Sequence, residues 1–329
     1  MTKTFFMFIS LALTEYLPAS DETATGSSSM TALEHAHLVR IDTGDVQLAT
    51  RYYPGNGIPV VFVHGSFDDH TAWREVLFHL SEKVPNPLIL FDRRGHSAST
   101  DTAGQGRISE DVADVAALIG HFTDQRLGGR AHIIGHSYGA SIATALAQTH
   151  PELVESLILY EPPLFGLLTD VDQARQIQVQ MKQKMQLAAR LLSDGMIEQG
   201  TVLFLEQVAF GPGSWKRFNK QTQSTMLANA DTWLDQSKDP ERLDVGVEHL
   251  QAFPRPVSLL GGTESLPAFQ LTNARFKNIV TNAQVLTISG AGHGGISTHP
   301  AQTARAITQQ LSSWSKGVDP RSEHPQPGR

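Results

Sequence analysis

The segment Gly135-His136-Ser137-Tyr138-Gly139 places a serine between glycines two residues away on either side. An apolar run, Ala131 to Ile134, precedes it and an Ala-rich stretch, Gly139 to Thr149, follows. A serine on a sharp strand-to-helix turn is presented as a nucleophile, and the flanking glycines keep side chains out of its way. The N-terminus of the following helix offers free backbone N–H groups to a developing oxyanion. A serine hydroxyl needs a base. Of the 14 histidines, His293 has the suitable placement, in Gly290-Ala291-Gly292-His293-Gly294-Gly295, just beyond the last apolar run. His136, beside the nucleophile, is read as structural. For the oxyanion, the Tyr138 N–H is one expected donor. The other is expected from the loop after His64-Gly65, at Ser66 or alternatively Phe67.

A carboxylate should orient the base and stabilise its protonated form. Two positions compete. Glu161 directly follows the apolar run Val154 to Tyr160, and Glu264 lies in Gly261-Gly262-Thr263-Glu264-Ser265. Glu161 is preferred, with Pro162 and Pro163 fixing its loop; Glu264 is the alternative acid. Asp92, Arg93 and Arg94 are read as a brace for their own loop. No metal-ligand spacing and no phosphate-binding glycine loop occurs, so neither a metal nor a cofactor is implied.

These residues need a scaffold that brings distant segments to one edge. Ile58 to Val63, Leu88 to Phe91, Ala131 to Ile134, Val154 to Tyr160, Val257 to Leu260 and Gln284 to Ile288 are short apolar runs. They alternate with helical patterns. The clearest helix has Ile108, Val112, Val115, Ile119 and Phe122 on one face. Such alternation predicts an α/β protein with a mostly parallel sheet covered by helices on both faces. Ligands bind such sheets beyond the carboxyl ends of the strands, where every motif above falls. Two further strands, His37 to Ile41 and Val46 to Tyr53, are joined by a turn at Asp42 to Asp45. A helix is expected from Thr71 to about Lys83.

Residues 164–250 carry no strand signal. Ile177, Met181, Met185, Ala188 and Leu192 form a helical stripe, and further helices are expected over Met196 to Val208 and Ser214 to Gln236. This reads as a helical cap inserted into a core formed by 35–163 and 251–316, with a flexible tail at 317–329. Residues 1–34 hold Lys3, the apolar run Phe5 to Leu13, and the polar stretch Asp21 to Ser29. They read either as a signal peptide, hence export, or as a disordered extension on a cytoplasmic protein. The apolar run is too short to span a bilayer, so stable membrane insertion is not expected. A net charge of -7 argues against a nucleic-acid partner, and the absence of cysteine removes disulfides and thiol nucleophiles.

His64-Gly65-Ser66, Asp92-Arg93-Arg94-Gly95-His96-Ser97, Gly135 to Gly139 and Gly292-His293 occur in the order seen in the α/β-hydrolase superfamily, which the chain resembles over about residues 37 to 315. It is most similar to the helical-cap branch: esterases, haloperoxidase-like enzymes, epoxide hydrolases, haloalkane dehalogenases and C–C hydrolases. The resemblance implies an eight-stranded, mostly parallel sheet and a Ser137–His293–acid triad. Serine in place of the aspartate nucleophile of epoxide hydrolases and dehalogenases implies an acyl-enzyme. The usual acid, an aspartate in G-x-x-D after the seventh strand, is missing: that slot holds Ser265 or Glu264. Some haloalkane dehalogenases place a glutamate after the sixth strand, as Glu161 is placed here.

The expected activity is hydrolysis of a small or medium carboxylic ester with an apolar carbonyl substrate. C–C bond, lactone or thioester hydrolysis on the same triad is the alternative. A non-hydrolytic lyase or a silent binding protein would be a reading of another class.

Overall fold

A computed structural model describes residues 36–80, 83–100, 106–123, 128–169, 172–242 and 245–317. The expected 1–34 segment and, after Gly317, the expected tail lie outside these residues. The strands are β1 (His37–Asp42), β2 (Gln47–Tyr53), β3 (Val60–Val63), β4 (Leu88–Phe91), β5 (Ala131–His136), β6 (Val154–Tyr160), β7 (Val257–Gly262) and β8 (Gln284–Ile288). They form one sheet in the order β1-β2-β4-β3-β5-β6-β7-β8. The first two strands are antiparallel to their neighbours and the rest are parallel. The fold is thus an α/β fold with an eight-stranded, mostly parallel sheet.

Central strands buried on both faces explain the continuous apolar runs. Val61, Val63, Ile89, Ile133 and Leu157 pack on one side with helices α2 (Ile108–Phe122) and α3 (Tyr138–Thr149). Val60, Phe62, Leu90, Ile134 and Ile158 pack on the other, where α1 (Arg74–Leu80) and α11 (Pro300–Gly317) lie. The remaining helices are α4 (Asp172–Ser193), α5 (Ile197–Phe204), α6 (Ser214–Arg217), α7 (Lys220–Ala228), α8 (Ala230–Gln236), α9 (Pro267–Ile279) and α10 (Gly295–Thr298).

Between β6 and β7 the described chain is helical. Met181, Met185, Ala188 and Leu192 of α4 join Phe204, Trp233, Phe67 and Phe269 in a third apolar cluster. The helix expected over Ser214 to Gln236 is instead three short helices. Asn219 breaks the first join by capping α7, its side chain accepting the Thr222 N–H at 2.9 Å. Asn229 breaks the second, because its buried side chain is spent on the core loops described below. The helix expected from Thr71 begins as a 3₁₀ turn, His70–Trp73, capped by Asp69, before α1. The one expected over Met196 to Val208 ends as α-helix at Phe204 and continues as a π turn, Leu205–Ala209. No helix among the described residues is long and apolar enough to cross a membrane.

Candidate functional site

Among the described residues, four non-glycine residues have positive φ: Phe67 (64°), Ser97 (45°), Ser137 (53°) and Glu161 (46°). They follow β3, β4, β5 and β6, so the strain sits along the carboxyl edge of four adjacent strands. Backbone strain of about 1–3 kcal/mol per residue persists only where packing holds it. At Ser137 (φ 53°, ψ -124°) the turn is clamped on both sides. The Ser137 N–H donates to the Tyr160 carbonyl at 2.9 Å, and the Ser137 carbonyl accepts from the Ala140 N–H at 2.8 Å. The flanking glycines are required by close approach. A Cβ on Gly139 would lie 2.3 Å from the Val63 carbonyl oxygen, and one on Gly135 would lie 2.4 Å from that of Gly139. Tyr138 opens α3, so its N–H has no acceptor within the helix.

His293 and Glu161, 132 residues apart in sequence, meet beside this turn. Nδ1 of His293 donates to Oε2 of Glu161 at 2.9 Å, and both side chains are almost fully buried. The other carboxylate oxygen, Oε1, accepts the Gly262 N–H at 2.8 Å and the Ser265 hydroxyl. Three donors thus converge on one carboxylate and fix its orientation. Ser265 occupies a slot where an aspartate was expected, and here its hydroxyl holds Glu161. Glu264 is exposed, and its backbone N–H bonds to Ala291. The structure therefore brings Glu161, and not Glu264, to His293.

The loop of His293 is fixed by β5 and β6. His136 donates from Nε2 to the His293 carbonyl at 2.8 Å, and Tyr160 donates its hydroxyl to the Gly292 carbonyl at 2.8 Å. Burial pushes the His136 pKa down to about 3, so it acts as a neutral strut. Phe269 stacks on the His293 ring with centroids 3.9 Å apart. The same Phe269 lines a cavity with Ser137, Tyr138 and Ser66. Nothing in the sequence singled out Phe269, Ser265 or Tyr160 for this work; only the unusual serine in the G-x-x-D slot was a signal.

The His64-Gly65 and Asp92-Arg93 motifs aim one peptide. Nδ1 of His64 and Nη2 of Arg93 donate to the Gly65 carbonyl at 2.9 and 3.2 Å. His64 takes the Arg93 N–H on Nε2 at 3.0 Å, which fixes its tautomer, and burial holds its pKa well below the usual value. A trans peptide points its C=O and N–H in opposite directions. Pinning the Gly65 carbonyl thus turns the Ser66 N–H the other way, and Ser66 lines the cavity. Phe67 instead buries its ring against Trp233 (5.3 Å) and Phe204 (5.0 Å). Arg93 is paired with Asp111 at 3.0 Å, and Arg94 with Asp114 at 2.7 Å. Both arginines brace loops, as the sequence suggested.

Asn229, from between α7 and α8, ties the helical segment to two loops of the core. Its Nδ2 donates to the carbonyls of Phe67 (3.2 Å) and Asp68 (2.9 Å), and its Oδ1 accepts the Ser97 N–H at 2.9 Å. Asp69, His70 and Asp92 lie close enough together to suggest a metal centre. Their atoms have internal partners, however. Asp69 accepts from Thr71 and Ser97, and Asp92 from His70 and the Ala98 N–H.

A model of the alpha/beta hydrolase family matches residues 60–306. The chain belongs to the alpha/beta hydrolase family. Among curated members, an AB hydrolase superfamily protein of Gibberella zeae is 38% identical over 117 residues, 34% of this chain and 39% of the relative. The 2-(acetamidomethylene)succinate hydrolase of Mesorhizobium japonicum is 31% identical over 128 residues, 39% of this chain and 43% of the relative. The chain thus spans less than half the length of these two relatives. A thermophilic esterase from Thermogutta terrifontis superimposes with a TM-score of 0.64 at 20% identity, covering 85% of this chain and 99% of the esterase. At that identity the likeness is one of fold.

Proposed function

We propose that this hydrolase is a cofactor-independent serine esterase that cleaves a small or medium carboxylic ester through an acyl-enzyme. The observation that carries the reading is the buried His293–Glu161 contact at 2.9 Å beside the strained Ser137 turn. Nδ1–H of His293 is held by Glu161, which leaves Nε2 as the basic nitrogen. Nε2 takes the Ser137 proton as Oγ attacks the ester carbonyl. The tetrahedral oxyanion is met by the N–H groups of Tyr138 and Ser66. His293 then protonates the leaving alcohol, and a water attacking by the same route releases the acid and restores Ser137. The likeness in fold to an esterase and in sequence to a 2-(acetamidomethylene)succinate hydrolase supports this class.

The helices between β6 and β7 serve as a cap in this reading. Phe165, Met185, Phe204 and Val208 line the cavity over Ser137, whose free volume is about 20 Å³. That holds about one water and is far below the hundreds of cubic ångströms of a ligand pocket. Substrate entry therefore displaces side chains of this helical layer. Initial rates on 4-nitrophenyl esters from acetate to decanoate test the proposal. A maximum at short to medium chains with loss at decanoate is expected. No turnover of any member by folded protein would refute ester hydrolysis.

A further inference from the structure

Arg242 lies just before the described residues leading into β7, and its side chain is buried at 6% exposure. It lines the cavity that holds Ser137 and, among the described residues, is the only charged side chain to do so. Among the described residues its guanidinium makes no ion pair and no hydrogen bond, and Nε is fully enclosed without a partner. The acid whose charge acts on it is Asp239, but that carboxylate is occupied. Asp239 accepts the Ile108 N–H at 2.8 Å on one oxygen and the Glu241 N–H at 2.9 Å on the other. Arg93, also nearby, adds repulsion and is itself paired with Asp111. Arg242 is held instead over aromatic faces, 5.7 Å from the Tyr138 ring centroid and 5.2 Å from that of Trp233.

An arginine enclosed without an acid loses its hydration and gains little in return. Such an arrangement is costly unless a second molecule completes it. A guanidinium has a planar fork of donors that matches a carboxylate in a bidentate pair. Every other cavity-lining side chain is apolar or carries only a hydroxyl, so the charge of an incoming carboxylate would find one partner. We propose that Arg242 is a substrate-binding residue that receives a free carboxylate, so that the preferred substrates are esters that also bear a carboxylate group. This rests on the esterase reading and names its substrate class.

The test compares 4-nitrophenyl hydrogen glutarate with 4-nitrophenyl valerate, which has the same acyl length without the charge, after subtraction of spontaneous hydrolysis. A charge-assisted pair predicts that kcat/KM favours the glutarate ester by about 10- to 100-fold. In Arg242→Met that preference collapses, mainly through KM, and Arg242→Lys retains part of it. Lys216→Met, which removes an exposed charge remote in role, keeps the wild-type ratio. A wild-type enzyme indifferent to the carboxylate overturns the proposal. So does an Arg242→Met variant that loses rate on both esters equally, which would mark a structural role.

Direct binding separates this from the esterase reading. In a Ser137→Ala background, glutarate should raise the thermal midpoint, and adding Arg242→Met should abolish the shift. Glutarate binding that depends on Arg242 supports the carboxylate site even if no ester is turned over. Labelling of Ser137 by a fluorophosphonate without such binding leaves the esterase standing and sinks the Arg242 assignment.

Discussion

Replacing Glu161 by Gln keeps the size of the side chain and removes its charge at the His293 contact. The native carboxylate accepts from three groups: His293 Nδ1, the Gly262 N–H and the Ser265 hydroxyl. A Gln has one acceptor oxygen and one NH₂. If the oxygen stays with Gly262 and Ser265, the NH₂ faces His293 and demands the tautomer protonated on Nε2. That tautomer cannot take the Ser137 proton. The variant also loses the charge that stabilises the imidazolium. A charge pair about 4 Å apart is worth about 4 kcal/mol at an effective dielectric of 20. At about 1.4 kcal/mol per tenfold, the loss in kcat is about a thousandfold, and the tautomer misfit adds to it. KM should stay within about threefold, because the carboxylate does not line the cavity. Glu264→Gln should leave kcat within about twofold, since Glu264 is exposed and meets the His293 loop through its backbone N–H, which the substitution keeps. The assay is kcat on 4-nitrophenyl butyrate, with circular dichroism to show that each variant is folded. A Glu161→Gln enzyme retaining more than a tenth of wild-type kcat would refute the reasoning, as would a Glu264→Gln enzyme losing a hundredfold.

Two further predictions concern stability. Asn229→Ala removes three hydrogen bonds, two of them buried, between the helical segment and the loops at Phe67, Asp68 and Ser97. It should cost about 3 kcal/mol in urea melts and lower kcat by loosening the loop that carries Ser66. His132 is buried in β5, and desolvation lowers its pKa from 6.5 to about 4. The neutral form is thus the folded form, and its contribution is present above pH 6.5 and lost as pH falls toward 4. The loss is about 3 kcal/mol, so His132→Gln should flatten the fall of the thermal midpoint between pH 6.5 and 4.

The parts of this structure legible from sequence were those written in local pattern. Apolar runs such as Ile133-Ile134 and Leu157-Ile158-Leu159 announce strands buried on both faces, and the helix of Ile108, Val112, Val115 and Ile119 has the period of one covered face. Ser137 could be singled out because its turn needs glycine at 135 and 139, and this need is imprinted at fixed spacing. Features created by long-range contact were not legible. Ser265 looked like a missing acid, yet its hydroxyl supports the acid that lies on the neighbouring strand. Asn229 sits inside a pattern compatible with one long helix, and only its distant partners Phe67 and Asp68 explain that break, whereas Asn219 is a local cap three residues from its partner Thr222. Arg242 had no motif around it. Its significance lies in what surrounds it in space: an apolar cavity, two aromatic faces and, among the described residues, no acid free to pair with it.

The proposed mechanism stands on Ser137 as the nucleophile of this alpha/beta hydrolase. Intact-mass and peptide-mapping measurement after treatment with diisopropyl fluorophosphate tests it most directly. A single stoichiometric adduct on Ser137 is expected, absent in Ser137→Ala and much slower to form in His293→Ala. Folded wild-type protein that takes no adduct, or takes it on another serine, would contradict the account.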